Sequence, residues 1–465
     1  MIENLINKNF FLLILFSFSI FFSYTSISII EFRFLYLLGF IFIFIDVLIK
    51  RNFFLTKKYL IVIFVIFCIY LHSSFFYFFE FRDIKNDYSI FDLIINEFNF
   101  KTFGQAIILF ISILIIFYYK NLIIKNYKKL VDIFIVTFVT LIIIYNFKND
   151  SILLKTIFVC DLGFFYYTRF LFVENSHFGI ISASIITFFF FNIKDYLNKK
   201  IIFCFYILFF IFSLGSITLT FYLSIVSSIL LSLIFCRKKK KYSIYSLAIL
   251  FALINFYFFS FSKSDYCEPK QVYMNTSSMN GVAAPPQNNF KGKVTSGKYK
   301  LQGLFRKDVV NLSVSVQLYS LYFAKNSVVK YPLGVGLGNY SSYRKVFDEE
   351  QIFVGEHPYK KIIFKNGLFN SINAYVIYFN KNTGSNNFSK LIVEFGFLGV
   401  ILLSFIFYML CSRKIDNSMK IIFLTLIVNQ LFIRGTGYFN NGFLIIIILL
   451  FSIFFDNLNI KEGKK

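Results

Sequence analysis

Between Lys200 and Arg237 the chain reads IIFCFYILFFIFSLGSITLTFYLSIVSSILLSLIFC (residues 201–236), and the basic run Arg237 to Lys241 closes it. No charge interrupts this stretch. A helix crosses the roughly 30 Å hydrocarbon core of a bilayer with about 20 apolar residues, so the run reads as two spans, at 201–215 and 216–236. The same alternation of long apolar runs and short basic clusters extends outward over the whole chain.

Of 465 residues, 57% are hydrophobic, with 71 Phe and 31 Tyr but only 5 Pro. Charged residues make up 15%, against roughly 25% in an ordinary soluble domain. This excludes a soluble globular enzyme, a disordered chain and a collagen-like fibre. An outer-membrane barrel is disfavoured too, because its strands alternate over about ten residues whereas these runs are continuous. The formal net charge is +24. It is not read as a nucleic-acid footprint. Lys, Asn, Ile, Phe and Tyr are abundant together, as in an AT-rich coding sequence, and most lysines sit in clusters between apolar runs.

About twelve apolar segments can be marked: 10–30, 32–49, 59–79, 102–119, 130–147, 177–193, 201–215, 216–236, 243–262, 391–411, 420–433 and 442–456. The basic clusters at 50–58, 120–129, 194–200, 237–241, 413–420 and 461–465 all fall on one side of such a chain. The positive-inside rule makes that side cytoplasmic. The expected fold is therefore an all-α polytopic membrane protein with about twelve transmembrane helices, both termini cytoplasmic and one large external loop. Its parts are a membrane domain at 1–262, an external loop or lid at 263–390, and a second membrane portion with a cytoplasmic tail at 391–465. The first segment is too long for the core of a cleaved signal peptide, and no small-residue cleavage site follows it. The large loop holds all five prolines, a flexible Thr276 to Ser296 stretch, and an expected surface helix within 301–330.

Cys68, Cys204, Cys236 and Cys411 lie in or at the ends of apolar runs and read as small buried residues. Cys160 and Cys267 fall in external loops and could pair in an oxidising compartment. No CxxC, HExxH or P-loop pattern is present, and three His are too scattered for a metal site.

There are only nine Arg among 48 basic residues. Arg51, Arg237 and Arg413 are on the cytoplasmic side; Arg33, Arg82, Arg169, Arg306, Arg344 and Arg434 are external or at the external rim. That inverts the bias of the basic clusters. A guanidinium grips phosphate oxygens as a bidentate fork, where Lys offers a point charge. External arginines beside a bilayer therefore point to a lipid-linked phosphate or pyrophosphate. Snorkelling toward headgroups is the plain alternative, and it is preferred for Arg33 and Arg82.

Four constellations accompany these arginines. The first runs from Thr168-Arg169 to Glu174-Asn175-Ser176-His177 at the mouth of the sixth segment, where Glu174 or His177 is a candidate general base. An Arg169–Glu174 ion pair is the structural alternative. The second is Tyr331-Pro332-Leu333-Gly334-Val335-Gly336-Leu337-Gly338-Asn339-Tyr340, whose glycines allow sharp turns and N–H groups facing an anion. The third leads from Ser385-Asn386-Asn387 to Glu394-Phe395-Gly396 and Gly399. It places Glu394 inside a span and assigns the glycines to helix packing. The fourth is Arg434-Gly435-Thr436-Gly437-Tyr438, the turn between the last two segments, where Arg would hold phosphate and Tyr stack on sugar.

Taken in order, these pieces resemble the Wzy-type O-antigen polymerases and the related O-antigen ligases. Glu174-Asn175-Ser176-His177 is similar to that family's "EPSH"-type segment, with Asn175 where Pro is common. Pro332 to Tyr340 is similar to its "PxGxGxGNF" segment, and Glu394 to Gly399 to its "ExGxxG". Ser216-Ile217-Thr218 and Arg434 to Phe439 resemble two further family segments. Ligases usually carry His-Asn ahead of "ExGxxG"; here Ser385-Asn386 stands there, which leans toward a polymerase. His357 could substitute only if its loop folds back.

The resemblance implies a metal-independent, GT-C-like glycosyltransferase with no cofactor, working on the periplasmic face of the inner membrane. Its partners would be undecaprenyl-pyrophosphate-linked oligosaccharides as donor and acceptor, membrane lipids and a chain-length regulator, with no nucleic acid. Within it, Arg169, Arg344 and Arg434, with Arg306 as a lesser candidate, would meet pyrophosphate. Glu174 or His177 would be the base, Tyr340 and Tyr438 would stack on sugar, and Gly336, Gly338, Asn339, Asn386 and Glu394 would line the substrate. A ligase or a polysaccharide flippase or transporter remains the alternative.

Overall fold

The computed structural model describes residues 2–21, 25–27, 30–32, 57–77, 100–148, 175–215, 219–235, 243–253, 312–353, 385–411, 415–435, 437–438 and 442–462, with single positions at 45 and 79. Among them the fold is all-helical apart from one short hairpin. The helices are α1 (Ile2–Phe21), α2 (Lys57–Phe76), α3 (Phe100–Lys148), α4 (Asn175–Phe191), α5 (Ile193–Leu197), α6 (Lys200–Gly215) and α7 (Leu219–Phe235). They continue with α8 (Ser243–Leu253), α9 (Leu312–Lys330), α10 (Tyr340–Phe353), α11 (Asn387–Cys411), α12 (Asn417–Val428) and α13 (Phe443–Glu462). A single π turn, Asn429–Ile433, extends α12.

Among the described residues two stretches are long and apolar enough to cross a membrane, Gln105–Ile144 and Asn387–Tyr408; eight further helices contain apolar stretches of 10–17 residues. Within the quoted stretch, α6 ends at Gly215 and α7 runs from Leu219 to Phe235.

Three expectations change. The fourth and fifth segments are not separated by a loop at 120–129: α3 runs through them as 49 residues, interrupted only at Asn126 (φ −118°, ψ 16°). Lys is a good helix former and 120–129 contains neither Gly nor Pro, so a charge cluster by itself does not end the helix. The first segment stops early, because Thr25–Ile27 and Ile30–Phe32 pair as antiparallel strands. That stretch is rich in β-branched residues and Ser, which favour strands and turns over a helix. Cys68 and Cys204 are exposed on the outer faces of α2 and α6 rather than buried. On helices apolar all round, Cys is tolerated on either face.

The main core joins α1, α3, α4, α6, α7, α12 and α13 through side chains such as Phe16, Phe138, Phe178, Phe209 and Ile427. A second, smaller core joins α9, α10 and α11 through Val316, Phe323, Tyr343, Phe347 and Val393. Part of the expected external loop is therefore packed directly onto α11. Expectations that fall on residues 33–44, 80–99, 149–174, 254–311 and 354–384, including the flexible stretch, Cys160, Cys267 and His357, lie outside the described residues.

Candidate functional site

The site is built on a broken helix. Asn386 ends the chain's approach to α11: its Oδ1 accepts the Ser389 N–H at 2.8 Å, a side-chain N-cap. Ten residues later the helix breaks at Gly396, where φ is +54° and ψ −131°. A Cβ there would sit 2.0 Å from the Pro332 carbonyl oxygen, so glycine is required both by conformation and by contact. Gly396 is therefore a break point rather than the helix-packing residue expected from its spacing.

The break removes intrahelical partners from two carbonyls, and the glycine loop supplies new ones. Val335 N–H donates to Val393 O at 3.0 Å, Gly336 N–H to Glu394 O at 2.9 Å, and Phe397 N–H to Pro332 O at 2.9 Å. Orphan backbone groups of a helix end are thus satisfied by an extended segment. Gly334, Gly336 and Gly338 adopt φ of 80°, 89° and 85°. A Cβ on Gly334 would meet Glu394 O at 2.4 Å, and one on Gly336 would meet Ser73 Cα at 2.5 Å. The loop is clamped between α2 and α11, and Asn339 fastens it: its Nδ2 donates to Ser73 O at 2.7 Å and to Val335 O at 2.8 Å.

Glu394 is fully buried. Its Oε1 accepts the Gly338 N–H at 3.1 Å. The anion that the glycine loop faces is therefore this chain's own carboxylate. Tyr438 lies buried on its other side, and burial, reinforced by the Glu394 charge, pushes that phenol well above its ordinary pKa.

The 434–438 turn is bound to the start of α11. Gly435 N–H donates to Ser385 O at 2.9 Å, and Gly437 N–H to Asn387 Oδ1 at 3.1 Å. A Cβ on Gly435 would meet Asn387 N at 2.4 Å. Ser385 also ties in α9, donating from Oγ to Val316 O at 3.1 Å. Gln317 of α9 donates to Ile433 O. Three of the four constellations read from the sequence thus converge on the first half of α11.

The individual candidates are placed as follows. Arg344 is buried on α10, with its guanidinium 4.1 Å from the Tyr319 ring centroid and 5.2 Å from that of Phe323. Tyr340 is buried with its ring edge against Phe323 and its hydroxyl 3.4 Å from Ser320 Oγ. Tyr438 stacks on Phe443. Both tyrosine rings are thus packed inside the protein rather than offered as open faces. Arg434 is half-buried, and its N–H closes the π turn onto Asn429 O at 3.0 Å. His177 is buried in the first turn of α4, a helix packed on α7 and α12. Arg169, Glu174 and Arg306 lie outside the described residues.

Asn387, quoted in the third constellation, carries the turn. Two residues not singled out from sequence also belong here: Ser73 of α2 carries the loop, and Lys390 lies 4.7 Å from the Tyr438 ring centroid. Lys390 had a signal, a cation four residues before Glu394 at the head of an apolar run; Ser73 had none. Among the described residues no group of three or more His, Cys, Asp or Glu could hold a metal. Comparison with protein-family models, curated proteins and solved structures finds no match for this chain.

Proposed function

We propose that the chain is an inner-membrane polymerase of undecaprenyl-pyrophosphate-linked oligosaccharide units, with about twelve spans and its site on the periplasmic face. The observation that carries this reading is the convergence of the Pro332–Tyr340, Ser385–Gly399 and Arg434–Tyr438 segments on one broken helix. These are the segments that resemble the polymerase and ligase family, and they lie far apart in the chain.

In the proposed reaction the non-reducing hydroxyl of a new lipid-linked unit forms a bond to the anomeric carbon of the growing chain. The anomeric carbon–pyrophosphate oxygen bond breaks, and undecaprenyl pyrophosphate leaves with the electron pair. The hydroxyl proton passes to a base, for which Glu174 is favoured over His177. Glu394 is engaged by Gly338 and Tyr438 and so positions the glycine loop. Arg434 and Arg169, with Arg306 as the lesser candidate, stabilise the leaving pyrophosphate. Arg344 is buried and stacked on Tyr319, so it is not assigned to the pyrophosphate.

The ligase alternative is weakened by the use made of Ser385 and Asn386, which stand where ligases carry His-Asn. Their side chains serve Val316 O and the Ser389 N–H. Transport draws on a different observation, a buried polar seam in which Asn429 of the π turn reaches Ser228 Oγ at 3.1 Å and Ser184 Oγ at 3.4 Å.

The test is deletion of the gene, with surface lipopolysaccharide run on a silver-stained gel. Cores bearing single units and no ladder are expected. Bare core with polymer retained on the carrier lipid would mean a ligase, and an unchanged ladder would discard both.

A further inference from the structure

α12 joins two ends of the molecule. Through its π turn it leads into the 434–438 turn of the candidate site; its other end, at Asp416 and Ser418, belongs to a different assembly. There Tyr127 of α3 donates to Asp416, Ser418 Oγ donates to Asn192 Oδ1 at 2.7 Å, and Lys128 of α3 donates to Asp195 of α5 at 2.8 Å. Tyr196 and Tyr206 both donate to Asp132 Oδ1 at 3.0 Å. Two basic clusters of the sequence, 120–129 and 194–200, are thereby held side by side, although 67 positions separate Lys128 from Asp195.

The carboxylates of this assembly are engaged within it: Asp132 by two phenols, Asp195 by Lys128 and Asp416 by Tyr127. The lysines outnumber them. Lys125, Lys129, Lys194, Lys199 and Lys200 are exposed, and among the described residues none of the five is in an ion pair. Lys199 lies over the Tyr196 ring at 5.8 Å, so the phenol that ties α5 to Asp132 also places this ammonium.

Apolar side chains are set among the lysines. Leu197 is 57% exposed and Ile201 75% exposed. From Ile201 the chain runs into α6 and on to Cys236 without a charge. Exposed Leu and Ile between ammonium groups suit the boundary of a bilayer. There aliphatic side chains enter the acyl layer, and lysine stems lie along it with their charge at the headgroups. Charge then selects among headgroups, because a basic rim whose carboxylates are already engaged attracts an anionic one.

We propose that Lys125 and Lys129 of α3, with Lys194 of α5 and Lys200 of α6, form one seat for the headgroup of an anionic phospholipid, whose acyl chains lie against Leu197 and Ile201. By the expected topology this is a lipid of the cytoplasmic leaflet. The seat requires that the chain sits in a bilayer and is independent of the polymerase reading.

The test is native mass spectrometry of the full chain in detergent, titrated with phosphatidylglycerol and, separately, with phosphatidylcholine. Lys125→Gln, Lys129→Gln, Lys194→Gln and Lys200→Gln together keep good helix formers and remove four charges. This fourfold variant should hold phosphatidylglycerol about tenfold or more weakly than the native chain, with phosphatidylcholine unchanged. Each half, Lys125→Gln with Lys129→Gln or Lys194→Gln with Lys200→Gln, should cost about threefold, because both clusters meet one headgroup. The same four positions changed to Arg should stay within about threefold. Lys325→Gln with Lys330→Gln removes two exposed charges of α9 and should bind like the native chain. Without added lipid the fourfold variant should melt with the native chain, since its lysines are exposed.

Native-like phosphatidylglycerol binding by the fourfold variant would overturn the proposal. So would a loss confined to one half, which would leave two separate patches, or an equal loss in the α9 pair, which would make the effect one of net charge. Leu197→Ser with Ile201→Ser should weaken phosphatidylglycerol about threefold. Unchanged binding there would overturn the lipid in favour of a soluble acidic partner. An unchanged glycan ladder on gene deletion would discard the polymerase and leave this seat standing.

Discussion

Glu394 and Asp132 are both carboxylates inside helical packing, and they are held in opposite ways. Asp132, partly buried on α3, accepts hydrogen bonds from Tyr196 and Tyr206, each at 3.0 Å, and the two hydroxyls lie 3.2 Å apart. Around it are other side-chain pairs: Lys128 with Asp195 at 2.8 Å, Tyr127 with Asp416, and Ser418 with Asn192 at 2.7 Å. Burial and the Asp132 charge hold the Tyr196 phenol far above its ordinary pKa, so it stays a neutral donor. Glu394 instead takes a backbone N–H from a loop made of left-handed glycines, at a point where its own helix is broken. Side-chain clusters of the first kind join helices. Backbone of the second kind, held in a strained conformation, is the kind that clusters at functional sites.

The sharpest way to break this contrast is Gly396→Ala. Left-handed strain and overlap with Pro332 should cost about 3–5 kcal/mol, and monodisperse protein on size exclusion should be largely lost. A normal yield would mean that the loop does not dock on the break. Glu394→Ala comes next. It leaves the Gly338 N–H buried without an acceptor, at a cost of about 2–3 kcal/mol by thermal unfolding, and under the proposed polymerase reading the glycan ladder should disappear. Glu394→Gln retains an acceptor oxygen, so it should recover most of the stability and the ladder. A stable but inactive Gln variant would move Glu394 from positioning the loop to carrying a proton.

At the other carboxylate, Asp132→Asn keeps an oxygen for both tyrosines. It should cost about 1 kcal/mol and leave polymer per folded protein unchanged. A selective loss of polymer would end the distinction between the two centres. Lys128→Ala should have the smallest effect, within about 0.5 kcal/mol by thermal unfolding. Its ion pair with Asp195 is exposed, at 41% and 52% for the two side chains.

Much of the helical layout was readable. Segments 201–215, 216–236 and 442–456 correspond to α6, α7 and α13, because an apolar run satisfies its backbone only as a helix when no partner strand is near. The clusters misled at 120–129, since charge marks where a chain meets water but not whether it bends. Ser73 was not legible, and Asn387 was legible as a position but not as to partner: each contributes one polar atom to a segment far away in sequence, and nothing in a Ser or Asn beside an apolar run announces its partner. Gly396 was legible as a position and misread as to role, because small-residue spacing looks the same for a packing contact and a break.

By itself the sequence determined a strongly apolar, largely helical chain, the location of many of the described helices and the order of three polar segments. Only the tertiary structure decided that Pro332–Asn339, Glu394–Gly396 and Gly435–Tyr438 come together at one broken helix. The physical reason is that helices follow from local hydrogen bonding and hydropathy, whereas a backbone carbonyl freed at Gly396 must be satisfied by whichever distant N–H the fold brings to it.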